Sequence, residues 1–337
     1  MARITNPPLK IYPRLTEICK QKTKVRDYEK QIAKIFDEIK KDMISEDQIN
    51  RWANPPSDTE SEKCTSAISQ IIDALCDHFG SKISFIRQGS HHNRTNTRLD
   101  SDVDIAVIHE DSYYPDITSL TEADKQLHNR YRSDAKYDYS QFKTDVSVVL
   151  QKKFGTINVE RKNKCIRVKG SVSRVNADVV PTFEHRRFSA YNVVSATGIG
   201  LLTDKGERIN SFPEQHYENG VKKNDRTGRA YKSVVRIFKN VRNDLKDKGL
   251  LRGGDMPSFF IECLVWNTPD GYFNGKPYRE DALAVADKIW EDMQSTAVAN
   301  EYAEVCDLHW LFKGSPHRTH ERAKDFALQV WSHIKET

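Results

Sequence analysis

The sequence predicts an α+β fold in two parts, with a mixed sheet and its flanking helices in residues 1–185 and a helical lobe in residues 186–337. Three observations predict it. Apolar residues recur every three or four positions in two early stretches, the period of an amphipathic helix. Short β-branched runs follow between residues 83 and 180, the composition of strands. From Tyr231 onward the pattern is mostly helical. A mixed half followed by a helical half places a cleft between two layers, a usual position for a ligand.

Taken in order, Val25 to Met43 sets Tyr28, Ile32, Ile35, Phe36 and Ile39 on one face of a long helix among Lys, Glu and Asp. After the Asn54-Pro-Pro-Ser-Asp loop, Ser61 to Phe79 forms a second helix through Ala67, Ile68, Ile71, Ile72, Leu75 and Cys76, stopped by Gly80. Ile83 to Ile86 and Val103 to Ile108 read as paired strands. Residues 112–140 are polar and Tyr/Asp-rich and read as a surface insertion. Phe142 to Phe154 is a helix with Val146, Val149 and Leu150 inward, and Lys164 to Lys169 and Arg174 to Val180 are two further strands, the latter ended by Pro181. No internal repeat or low-complexity tract interrupts this order.

Composition narrows the function classes. The chain has 337 residues, 37% hydrophobic and 30% charged, so it is a globular protein rather than a disordered or collagen-like one. Its 53 Lys and Arg against 48 Asp and Glu give a net charge of +5, too mild for a dedicated duplex-DNA binder. The longest apolar run, Phe259 to Trp266, falls far short of the ~20 residues of a membrane span. The N-terminus carries no secretory h-region, and Cys19, Cys64, Cys76, Cys165, Cys263 and Cys306 contain no CxxC pair. A cytoplasmic protein with reduced thiols is the expectation. Cys306, His309, His317 and His320 surround a Gly-Ser-Pro loop but match no common zinc pattern, and Trp266, Trp290, Trp310 and Trp331 read as core.

Most of the chemical information lies in Gln88 to Ile108. On a strand, residues two apart share a face, so Asp102 and Asp104 project together while Val103 and Ile105 point inward. Carboxylates that close repel each other, which raises a pKa or recruits a cation; Mg2+ accepts one or two carboxylates plus phosphate oxygens. Gly89 lets the backbone approach a phosphate, and the Ser90 hydroxyl can bind one of its oxygens. A third acid, Asp178, sits among apolar strand positions, costly unless a metal or hydrogen bonds compensate. Asp100 is assigned to the turn. Beyond the strands, Lys232, Arg236 and Lys239 fall at i, i+4 and i+7 on one cationic helix face able to grip a triphosphate.

Gly-Ser, then Asp-x-Asp, then a distant Asp in an apolar strand resembles the DNA polymerase β-like nucleotidyltransferase superfamily. With the basic helix, the Asp178-Val-Val-Pro strand, the Asn210 to Gly220 run and the Pro257 to Asp270 run, the likeness narrows to oligoadenylate synthases and, closer, to bacterial cGAS/DncV-like nucleotidyltransferases over about residues 60 to 330. The resemblance implies a polymerase β-like core with an oligoadenylate-synthase-type helical lobe. It implies two Mg2+ ions, with Mn2+ as an alternative, on Asp102, Asp104 and Asp178. Gly89 and Ser90 would form the donor phosphate loop, and Lys232, Arg236 and Lys239 the nucleotide grip. It further implies ATP or GTP as substrates, a cyclic di- or trinucleotide as product in antiphage signalling, and regulatory protein partners from the same defence system.

Two rival readings stay open at this stage. Transfer to an RNA end would call for an extended basic channel or an added RNA-binding module, and neither is evident. A catalytically silent binding module is disfavoured by the three intact carboxylates.

Overall fold

The computed structural model describes residues 44–335 except 56–57, 98–101, 132, 134–136, 276 and 314. The expected helix at Val25 to Met43, Cys19 and Asp100 lie outside the described residues. Glu46–Lys335 packs as one compact unit.

The chain runs α1 (Glu46–Ala53), α2 (Asp58–Phe79), β1 (Ile83–Gln88), the single-turn α3 (Gly89–Asn93), β2 (Val103–Asp116), α4 (Glu122–Tyr131) and α5 (Tyr139–Phe154). It continues through β3 (Val159–Arg161), β4 (Ile166–Val168), β5 (Ala177–Ala190), β6 (Val193–Leu202) and β7 (Arg208–Ser211). The helices α6 (Pro213–Arg226), α7 (Ala230–Asp247), α8 (Ser258–Asn267), α9 (Tyr278–Asp292), α10 (Thr296–Ala299) and α11 (His320–Ile334) follow. Periodicity located α2 and α5 well. Gly80, at φ +60°, ends α2 as expected. The Asp138 carboxylate accepts the Gln141 N–H and starts α5 earlier than the apolar pattern implied.

The strands form one mixed sheet in the order β1-β2-β5-β4-β3, with β6 joining β5 to β7. β5 is the centre: β2 runs parallel on one side, while β4 and then β6 run antiparallel on the other. The helices α2 and α5 cover one face, and their Ile71, Leu75, Phe142, Val146 and Leu150 pack with Ile105, Val107, Val179 and Phe183 into a buried cluster. Because side chains alternate, that burial turns Asp104 and Asp178 toward the opposite face.

Two expectations on strand extent are corrected. β5 does not end at Pro181 but continues nine residues to Ala190. Pairing with β4 stops at Val179 and pairing with β6 begins at Phe183, so the proline sits in a gap between two partners. Its carbonyl accepts from the Tyr139 hydroxyl at 2.7 Å rather than from β2. The missing N–H therefore faces a side with no strand to bond. Residues 112–116 belong to β2, which resumes pairing with β5 after a register shift between His109 and Tyr113. The polar outer half of that strand hid it from an apolar-pattern reading. Trp310 is also corrected: it is half exposed rather than core, lying under the Lys313 ammonium.

Candidate active site

Asp104 and Asp178 are register partners on the parallel strands β2 and β5, so they stand side by side on the face away from α2 and α5. Asp102 lies two residues before Asp104, and Gln88, the register partner of Asp104 on the other side, leads directly into Gly89. The Gly89 backbone, at φ +76°, lies against the Asp104 carboxylate so closely that an added Cβ would fall 1.9 Å from Oδ2. Any side chain there would have to displace the Asp104 carboxylate and sit on a backbone in the left-handed region. Gly89, Asp102, Asp104 and Asp178 thus gather where β1, β2 and β5 run side by side, while Ser90 follows Gly89 in α3 and lines the neighbouring cleft.

Its electrostatics are strained. Burial first, then Asp178 and Asp102, push the Asp104 carboxyl up to about 7. Burial and the Asp102 charge likewise raise Asp178, against the pull of Arg167 and Lys162. Oδ1 of Asp178 is buried with no hydrogen-bond partner, although the Cys165 thiol bonds to the same carboxylate. Three close carboxylates, one with an orphaned oxygen, and a backbone held clear of side chains suit a hard, oxygen-seeking divalent cation. Asp102, Asp104 and Asp178 are the residues able to hold it.

Sequence reasoning missed Arg167. It pairs with Asp178 in register from β4, and its Nη2 donates to Asp102 Oδ2 at 2.5 Å. The signal was present in Ile166-Arg-Val168, a single cation between two inward residues.

Beside this end of the sheet opens a cleft of about 480 Å³, lined by Ser90, Asp102, Arg167, Lys239, Arg242, Asn243 and Lys246 among others. The cationic stripe on α7 departs from the expected open face, because Lys232, Arg236 and Lys239 are all buried. The Arg236 guanidinium donates to the carbonyls of Ala53 and Arg94 and to the Ser233 hydroxyl. Lys232 lies over the Tyr217 ring, 5.6 Å from its centre. Lys239 reaches the cleft wall, but its ammonium is bonded to the Thr95 carbonyl and hydroxyl and to Glu262 Oε2, at 2.9–3.1 Å. Arg236 and Lys239 thus grip the loop that follows Ser90. Arg242 and Lys246, one and two turns further along α7, also line the cleft and were not singled out from sequence; Arg242 donates to Asn243, the Met256 carbonyl and the Ser258 hydroxyl, and Lys246 pairs with Asp255.

Glu262 of α8 is a paired structural acid. It accepts from Thr95, His216 and Lys239 at 2.9–3.1 Å in a fully buried cluster. The His91-His92 pair is also engaged by protein, His91 with Cys64 Sγ at 3.3 Å and His92 stacked on Tyr217 at 4.2 Å.

A Gly-Ser turn against paired strand carboxylates, beside a basic cleft under a helical lobe, defines a nucleotidyltransferase. Comparisons with known proteins place it further. Residues 68–188 match the nucleotidyltransferase domain model, and residues 218–335 match the cGAS/DncV-like nucleotidyltransferase C-terminal helical domain. The chain is 43% identical over 291 residues to the cyclic dipurine nucleotide synthase of Elizabethkingia meningoseptica, covering 86% of this chain and 98% of that protein. It is 35% identical over 295 residues to the cyclic dipyrimidine nucleotide synthase CdnE of Cecembia lonarensis, with the same shares covered. The solved structure of E. meningoseptica CdnE with GTP and Apcpp superposes with a TM-score of 0.72 at 40% identity, over 87% of this chain and 100% of that one. The chain belongs to the cGAS/DncV-like nucleotidyltransferases, a family of enzymes that use divalent metal ions. No described helix is long and apolar enough to cross a membrane.

Proposed function

We propose that the protein joins two nucleoside triphosphates into a cyclic dinucleotide with release of pyrophosphate, as a signal in antiphage defence. The side-by-side Asp104 and Asp178, with Gly89 closed against them, carry this reading. The expected division at 185/186 falls inside β5 and would leave β6 and β7 outside their own sheet, so in this reading the catalytic core runs through β7 and the nucleotide-binding lobe begins at α6, working in the cytoplasm under regulatory protein partners. A purine pair is the first expectation, since identity to a dipurine synthase is 43% against 35% to a dipyrimidine synthase.

Asp102, Asp104 and Asp178 would hold two Mg2+ ions, or Mn2+ in their place. Such ions lower the pKa of an attacking ribose hydroxyl and steady the departing pyrophosphate. Gly89 and Ser90 offer backbone approach and a hydroxyl to the donor phosphates, and Lys239 backs them from the cleft wall. Lys232 and Arg236 contribute by shaping that wall, Arg242 and Lys246 by turning from their present partners, Ser258 and Asp255 among them, to phosphate oxygens. Asp178 Oδ1, lacking any partner, is the atom suited to receive the hydroxyl proton.

Incubating the protein with all four NTPs and Mg2+, then identifying phosphatase-resistant products by mass, tests the reading. A cyclic dinucleotide supports it; a linear polymer or unchanged NTPs would overturn it. A second test concerns Asp178→Ala, which keeps the Ser90 and α7 contacts. It should bind a non-hydrolysable NTP near wild-type affinity while product formation collapses. An active protein merely weakened by ~1–3 kcal/mol would make Asp178 a structural strand residue.

The cleft cations are testable separately. A charge-assisted phosphate contact contributes roughly 1.5–3 kcal/mol, so Arg242→Ala should weaken non-hydrolysable NTP binding about tenfold or more. Lys246, 60% exposed, should matter less because solvent and salt screen it. Lys205→Ala, in the exposed turn after β6, is the control and should change nothing. Equal small effects from all three in a calorimetric titration would move the phosphate grip elsewhere.

A further inference from the structure

A second cluster of metal-ligating side chains lies outside the cleft, in the hairpin after α10. Residues 302–311 fold back on themselves: Glu304 N–H donates to the His309 carbonyl, and Leu311 N–H to the Tyr302 carbonyl, both at 2.8 Å, and Ala303 bridges Trp310. Asp307, at φ +59°, makes the tip. Within this loop Glu304 Oε2, Cys306 Sγ and His309 Nδ1 converge, all within 4.8 Å of one another. Oε2 is 3.3 Å from Nδ1 and 3.8 Å from Sγ.

We propose that Glu304, Cys306 and His309 form a zinc-binding site that closes this hairpin on itself. Metal bonds of about 2.0–2.3 Å in a tetrahedron leave the ligand atoms roughly 3.3–3.7 Å apart; Oε2 to Nδ1 is 3.3 Å, Oε2 to Sγ is 3.8 Å, just beyond that range, and the third pair lies within 4.8 Å. As direct hydrogen bonds the same contacts are long, whereas the other oxygen of Glu304 takes a tight 2.5 Å bond from Arg318. A carboxylate with one oxygen on an arginine and the other turned to Cys306 and His309 has the outer support that ligating carboxylates use. The sulfur is prepared in a similar way. The backbone N–H groups of Leu308 and His309 point at Cys306 Sγ, an arrangement that favours thiolate, although burial without a metal pushes the thiol up to about 11.

Thiolate, carboxylate and neutral imidazole together balance a divalent ion, and a mixed S/N/O set suits zinc over magnesium. His309 is 31% exposed, so a solvent molecule can complete the fourth position. The hairpin it would stiffen is one that distant elements already hold. Arg187 of β5 donates to the Leu308 carbonyl at 3.2 Å and Asn219 of α6 to the Val305 carbonyl at 2.9 Å. Phe212 and Cys306 share a small buried cluster.

The test uses the full chain carrying Asp104→Asn, with Mg2+ in excess, so that the cleft carboxylates do not report. Titration with Co2+ should produce a thiolate-to-metal absorption band saturating at one ion per chain. Zn2+ should raise the melting temperature by about 2 °C or more. Cys306→Ser and His309→Ala should each remove the band and the shift, while Cys76→Ser, at an exposed thiol, should keep both. Circular dichroism confirms that each variant is folded. No band and no zinc-dependent shift in the parent protein, or a band that survives Cys306→Ser, overturns the site.

Discussion

Asp104→Asn is expected to abolish nucleotidyl transfer while leaving the fold intact and the metal-free melting temperature unchanged or higher. The loss should be on the order of 10³-fold or more, since metal-assisted charge stabilisation contributes several kcal/mol. The stability follows from the same geometry. Asp104 sits beside Asp178 in register, beneath Gly89, with its carboxyl pushed up to about 7 by burial and by its two acidic neighbours. A group whose folded pKa is raised contributes its stability below the unfolded value, and that contribution is lost as pH rises through about 7. Without metal, wild type should therefore fall behind the Asn variant between pH 4 and pH 8, by roughly 2–4 kcal/mol at the upper end. Added Mg2+ should close the gap by stabilising wild type alone. Thermal melts with and without EDTA across that range, beside turnover assays, check both halves. Near-wild-type turnover, or a variant less stable than wild type at pH 8, would remove Asp104 from the metal site.

How much of this was legible in the sequence depends on whether the signal was local. Asp102 and Asp104 share a face because of strand period alone, and Gly89-Ser90 follows a strand end, so the acidic turn could be read directly. That Asp178 stands beside Asp104 depends on a parallel register between strands separated by α4, α5, β3 and β4. Only the likeness to a known family suggested it. The α7 cations were misread for a physical reason. Periodicity gives the face on which Arg236 and Lys239 lie but not what meets that face, and here it is the carbonyls of Ala53, Arg94 and Thr95. Those acceptors lie more than 140 residues away in the chain. A buried cation with such partners looks, in sequence, the same as a solvated or phosphate-binding one. β5 was truncated for a related reason: Pro181 is tolerated only because β4 ends and β6 begins on either side of it.

Glu262→Ala is expected to be the most damaging substitution outside the acidic cluster. Its carboxylate is the hub that takes Lys239 of α7, His216 of α6 and Thr95 of the loop after Ser90. Burial alone would raise Glu262, yet Lys239, His216 and Thr95 outweigh it and hold the carboxyl well below its usual range. A depressed carboxyl contributes stability above the unfolded pKa and loses it as pH falls below about 4.5. Removing the carboxylate leaves a fully buried ammonium with neutral partners only, at a cost of about 3–5 kcal/mol, or several degrees of melting temperature. The effect should reach the cleft, because Lys239 also fixes the Thr95 carbonyl between Ser90 and Asp102. NTP affinity should fall even under conditions where the variant is folded. The pair Glu262→Met with Lys239→Met separates charge from shape. If the penalty is an unpaired buried charge, the double variant should recover much of the stability lost by Glu262→Met alone, as coupled neighbours do. It should not recover affinity, because the loop is no longer tethered. Additive losses in the double variant, or a Glu262→Ala protein that melts and binds NTP like wild type, would show that the cluster neither supports the fold nor holds the loop.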